Sequence, residues 1–134
     1  MPKEHVNPKT LFPSLPNGFS QIVVASGRKT AFISGQTAWD AQKRMVGGVS
    51  LREQARQALR NVQAATEAVG GALGDIVALR IYIVNYQPES AEAVGNALRE
   101  FFPPGNPPAS TWIGVSALAA PEFLIEIEAT AVLD

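Results

Sequence analysis

The sequence predicts an α+β domain in which two helices cross one face of a mixed sheet. Three observations carry this expectation. The run 123–133 alternates apolar and polar residues with the two-residue period of a strand. The stretches 51–69 and 88–102 repeat their apolar residues at helical spacing. Short runs rich in Val, Ile and aromatic residues precede and separate them.

In chain order, residues 1–18 carry Pro2, Pro8, Pro13, Pro16, Asn17 and Gly18, and predict a lead-in without regular structure. Runs 21–25 and 30–34 flank a turn containing Gly27, which predicts a hairpin. Gly35 follows, and a polar loop extends to Gly47-Gly48. Ser50-Leu51-Arg52-Glu53 is a capping box: the serine can cap an early backbone N–H while Glu53 reaches back to the serine's own. Leu51, Ala55, Ala58, Leu59, Val62, Ala65 and Val69 then mark one helical face, and Gly70-Gly71 ends it.

Residues 76–84 are apolar on both faces except for Arg80, as in a central strand covered on two sides. The second helix, 88–102, carries Val94, Ala97, Leu98 and Phe101 on one stripe, is weakened by Gly95 and is stopped by Pro103-Pro104. A strand over 110–116 follows Pro107-Pro108. The last strand places Phe123, Ile125, Ile127, Ala129, Ala131 and Leu133 on one face and Glu126, Glu128 and Thr130 on the other. The order is β-β-α-β-α-β-β. One sheet face then lacks cover, and such a face is often buried against copies of itself.

Composition narrows the chemistry. The 134 residues suit one domain, 1–134. Only 17% are charged, below the usual quarter or so, which fits a surface shared with sister subunits. The absence of cysteine excludes disulfides, thiolate metal sites and a Cys nucleophile. The one histidine, His5, sits in the polar N-terminal segment, where solvation is its expected state; no metal or cofactor is expected. A net charge of −1 gives no reserve of phosphate contacts, so no nucleic-acid partner is expected. No apolar run reaches the eighteen or so residues of a membrane span, and the N-terminus lacks an apolar signal core. The expected location is cytoplasmic.

Six motifs in order then carry a resemblance: Gly18-Phe19-Ser20-Gln21, Phe32-Ile33-Ser34-Gly35-Gln36, the QARQALRN run of 54–61, Gly74-Asp75-Ile76-Val77, Pro107-Pro108-Ala109-Ser110-Thr111 and Ile125-Glu126-Ile127-Glu128-Ala129. Together they resemble the Rid (YjgF/RidA) family from about residue 7 to the C-terminus. The resemblance implies a chorismate-mutase-like fold and a homotrimer with small-molecule clefts between subunits. It also implies, for the deaminase branch, hydrolysis of reactive imines and enamines to carbonyl compounds and ammonia.

Carried over residue by residue, Glu126 matches the glutamate that holds the attacking water. Phe19, Ser34, Gly35, Ser110 and Trp112 fall at ligand-lining positions. Three of these depart from the branch. Ser110 stands where an arginine clamps the substrate carboxylate, Phe19 replaces a tyrosine, and Trp112 replaces a small residue. Losing the guanidinium removes charge-assisted hydrogen bonds of roughly 1.5–3 kcal/mol each. Trp112, if it faces the cleft, narrows it and favours a flat or aromatic ligand. The ligand is therefore expected to differ from the standard 2-imino acid.

Other residues keep two readings. Glu126 and Glu128 share a strand face, as an acid–base pair or as a salt-bridged surface. Arg80 is a structural ion pair with a glutamate of a neighbouring strand, or a replacement cation for the missing clamp. Trp39-Asp40, Tyr82 and Tyr86 read as packing rather than as a lid or proton donors. Three functions remain open: an imine or enamine deaminase, a binding or sensing trimer without turnover, and, less in keeping with the charge and single His, an endoribonuclease.

Overall fold

The alternation that predicts the last strand is also what builds the core. The computed structural model describes residues 3–134. Its elements are β1 (Glu4–Val6), β2 (Ile22–Val24), β3 (Lys29–Gln36), α1 (Leu51–Ala68), β4 (Ile76–Val84), α2 (Pro88–Phe101), β5 (Ala109–Val115) and β6 (Ile125–Leu133), with 3-10 turns at Leu15–Asn17 and Leu73–Asp75. The main sheet runs β3-β6-β4-β5. β6 is antiparallel to both β3 and β4, and β4 is parallel to β5. Parallel neighbours need a crossover, and α2 supplies it between β4 and β5.

Every second residue of β6, from Ile125 to Leu133, is buried. That row joins Leu79, Ile81 and Ile83 of β4, Ala58, Leu59 and Val62 of α1, and Val94, Ala97 and Leu98 of α2 in one cluster. The helical stripes thus meet a sheet face of matching chemistry. Ser50 caps α1 by accepting from the Glu53 N–H at 3.2 Å. The return half of the capping box does not form: Glu53 pairs with Arg56 instead, at 3.0 Å. Gly70, at φ +87°, donates to the Glu67 carbonyl as the helix closes, and Val69 ends 54% exposed, outside the helix and the core.

Three expectations change. Glu4–Val6 of the lead-in is a strand, and residues 1–2 lie outside the described residues. The predicted hairpin between 21–25 and 30–34 does not form. β2 pairs antiparallel with β1, Val6 opposite Ile22, because the intervening turn is drawn to the last strand: Arg28 N–H donates to the Leu133 carbonyl at 2.8 Å. β4 is central but is covered on one face only. Its other face carries an exposed Arg80 and a half-buried Tyr82, beside Glu126, Glu128 and Thr130 of β6 and a Phe32 that is 82% exposed.

His5 is also not a solvated terminal side chain. Its Nδ1 lies 3.1 Å from both the Pro107 carbonyl and Ser20 Oγ, and Ser20 itself donates to Pro107 O at 2.5 Å. These bonds tie β1 and the stretch before β2 to the turn that launches β5.

Candidate functional site

Glu126 projects from β6 opposite Tyr82 of β4, near the end of β3. A β-bulge between Ile33 and Gln36 brings Gly35 beside the carboxylate. A methyl group at position 35 would overlap Oε2 and stand 2.7 Å from Cδ, so the absent side chain is what admits the carboxylate. Glu126 is half-buried, and among the described residues its carboxylate has no hydrogen-bond or ion-pair partner. It opens on a hollow of about 530 Å³ that Gly35, Trp39, Asn61 and Phe123 help to line.

The walls of that hollow are fixed by the QARQALRN run. Asn61 donates through Nδ2 to the Thr37 carbonyl at 2.9 Å and to that of Trp39 at 2.8 Å. Gln54, fully buried, donates to the carbonyls of Gly48 and Glu122 and accepts the Leu124 N–H at 2.9 Å. One helix face therefore holds both the loop after β3 and the segment entering β6.

Phe19, Ser110 and Trp112 gather elsewhere. β5 is the opposite edge of the sheet, and Ser110 and Trp112 point to the same side of it, two residues apart. Trp112 Nε1 donates to Ser110 Oγ at 3.0 Å, and its ring lies 5.8 Å from that of Phe19. These three help to line a second hollow, of about 450 Å³. Ser34 is exposed beside Gly35 and lines neither hollow.

One chain thus holds two groups rather than one site. Glu126 on β6 and Ser110 on β5 are two inter-strand spacings apart, roughly 10 Å, and their partners on the intervening β4, Tyr82 and Leu79, lie three residues apart and on opposite faces of the sheet. A ligand of a few heavy atoms cannot touch Glu126 and Ser110 of the same chain.

The open sheet face carries several of the residues that keep two readings. Glu128 accepts a hydrogen bond from the Tyr82 hydroxyl and lies 3.9 Å from Arg80 Nη1. It faces these residues, and no hydrogen bond joins it to Glu126. Arg80 is in that ion pair, largely exposed, and lines neither of these two hollows; with Ser110, Glu128 and Phe32 it lines another, of about 440 Å³, on the open face. The bond to Glu128, with partial burial, holds the Tyr82 phenol above its usual pKa of 10.0, so Tyr82 stays a donor. Trp39 packs edge-on against Phe123 at 4.8 Å, with Lys43 Nζ 5.0 Å from its ring centre. Asp40 is held below its usual range, chiefly by the Arg44 backbone N–H, and organises that turn. Tyr86 is 41% exposed and lines the second hollow.

Sequence reasoning missed Phe12 and Arg99, which line that hollow too. Both gain their positions from the docking of 12–19 on α2, a long-range contact that periodicity does not report.

The family model described as Endoribonuclease L-PSP matches residues 12–133. A 2-iminobutanoate/2-iminopropanoate deaminase of Dermatophagoides farinae is 30% identical over 116 residues, 87% of this chain and 86% of its own. The crystal structure of YyfB from Yersinia pestis, a protein of unknown function of the conserved Rid family, matches with a TM-score of 0.94 at 42% identity, covering 99% of this chain and 100% of that one. RidA from an Antarctic Psychrobacter gives a TM-score of 0.69 at 26% identity, over 84% of this chain and 86% of that one.

Proposed function

The chain belongs to the Rid (YjgF/RidA) family, and from that premise we propose that it is a single-domain, trimeric imine or enamine deaminase whose sites are completed between subunits. The observation that carries the reading is the unpartnered Glu126 carboxylate seated against Gly35. A carboxylate so placed is a suitable holder for one water.

The reaction needs little else. An imine carbon is already electrophilic, so positioning and exclusion of bulk solvent do most of the work. Water adds to the C=N carbon, and its proton passes through Glu126 to the nitrogen. The hydroxyl proton of the resulting carbinolamine then passes to the nitrogen as the C–N bond breaks, leaving a carbonyl compound and ammonia. No metal or cofactor enters this scheme. The wide separation of Glu126 from Ser110 supports a site with one wall from each of two subunits. The exposed Phe32 and the open sheet face supply a surface for such an assembly.

The Dermatophagoides relative is named for small 2-imino acids. Ser110 lacks the charge to clamp their carboxylate, so the substrate of this chain is a different imine. The same serine favours a second reading, a trimer that binds a small molecule without turnover. For the endoribonuclease named in the family model, the net charge of −1 and a single His5 engaged with Pro107 offer little.

Ammonia release from freshly generated imines, with and without a carboxylate, decides between the first two. The proposal expects turnover on at least one, lost at least a hundredfold in Glu126→Ala. No release from any imine by the wild-type protein, with ligand still bound, would leave the binding reading.

A further inference from the structure

The second hollow contains its own cation, Arg99, and an aromatic wall to which Phe12 adds; neither of these two belongs to the residues carried over from the family, whereas Phe19 and Trp112 do. Phe12 and Phe19 meet edge-on, with ring centres 6.2 Å apart, and Phe19 leads to Trp112. Phe12 is 59% exposed, so the wall ends in an apolar ring with nothing over it in the single chain.

Arg99, on α2, lines the same hollow. Its Nη1 donates to the Pro16 carbonyl at 2.9 Å and its Nη2 to Asn96 Oδ1 at 2.6 Å. Those two bonds fix the guanidinium and leave three of its five N–H groups for another partner. Among the described residues no carboxylate lies within ion-pair distance of it. A position in the last turn of α2 accounts for a favourable helix-dipole contact. It does not account for a guanidinium held by two neutral oxygens on a hollow that three aromatic rings also line.

We propose that this hollow binds an aromatic 2-imino acid, its ring against Phe12, Phe19 and Trp112 and its carboxylate on Arg99, which replaces the clamp missing at position 110. The inference rests on the reading of Ser110 and Trp112 as ligand-binding, and not on turnover. A planar fork suits a carboxylate, and the fixed fork loses little freedom on binding. A volume of about 450 Å³ lies in the range of small-molecule sites. Glu92 lines the same hollow and sets a limit: a second negative charge on the ligand is disfavoured.

Calorimetric titration with stable carbonyl counterparts tests this without catalysis. Phenylpyruvate should bind at least tenfold tighter than pyruvate. Arg99→Ala should weaken phenylpyruvate at least tenfold, about 1.4 kcal/mol, while phenylacetone, which lacks the carboxylate, changes less than twofold. Arg99→Lys should fall between wild type and Arg99→Ala. Equal binding of pyruvate and phenylpyruvate would overturn the aromatic wall. Equal weakening of phenylpyruvate and phenylacetone in Arg99→Ala would show that Arg99 only anchors the Pro16 turn, and would overturn the clamp. Arg99-dependent binding without ammonia release from any imine would uphold this inference while removing the reaction proposed above.

Discussion

At the scale of single residues, position 35 couples backbone to chemistry. Its missing side chain makes room for the Glu126 carboxylate. Gly35→Ala should therefore lower turnover by the same order as Glu126→Ala while leaving the circular dichroism spectrum unchanged; turnover within twofold of wild type would separate Glu126 from the reaction. Gln54 is the structural counterpart. It is fully buried with three backbone partners, so Gln54→Ala should cost about 2–4 kcal/mol in urea unfolding by orphaning those groups. Glu126 and Gly35 were legible in the sequence through the motifs around them, and Ser110 through its departure from one. Arg99 was not, because a charge on the polar side of a helix reads as solvated until the chain that docks on it is known.

At the scale of elements, the helices and the last strand were legible because each follows one period over nine residues or more. β1 was not, because three residues among prolines carry no period, and its partner is sixteen or more residues away. Two tests belong here. Ser50→Ala should destabilise by about 1 kcal/mol through loss of the α1 cap. The second concerns the joint between helices, where Arg52 reaches Glu100 at 2.5 Å and Arg56 reaches it at 2.8 Å. The hydrogen bond from Arg52, with help from Arg56, holds the Glu100 carboxyl below its usual 4.5. A depressed folded value means stabilisation that is present above 4.5 and is lost as pH falls through the folded value. Tm should thus fall more steeply below about pH 4.5 in wild type than in Glu100→Gln, and parallel curves would contradict this.

At the scale of the whole molecule, the two hollows lie toward opposite edges of one sheet. The uncovered sheet face was legible from the strand pattern, but the division of the site between edges was not, since strand order is set by pairing rather than by sequence order. The most direct test is complementation between subunits. Glu126→Ala disables one wall, and Ser110→Phe fills the other, so each alone should be inactive. After the two are unfolded and refolded together in equal amounts, about a quarter of the subunit boundaries in a mixed ring carry two intact walls. The mixture should recover about a quarter of wild-type ammonia release from whichever imine the wild-type protein turns over. Activity of the mixture no higher than that of the separate variants would contradict a site shared between subunits.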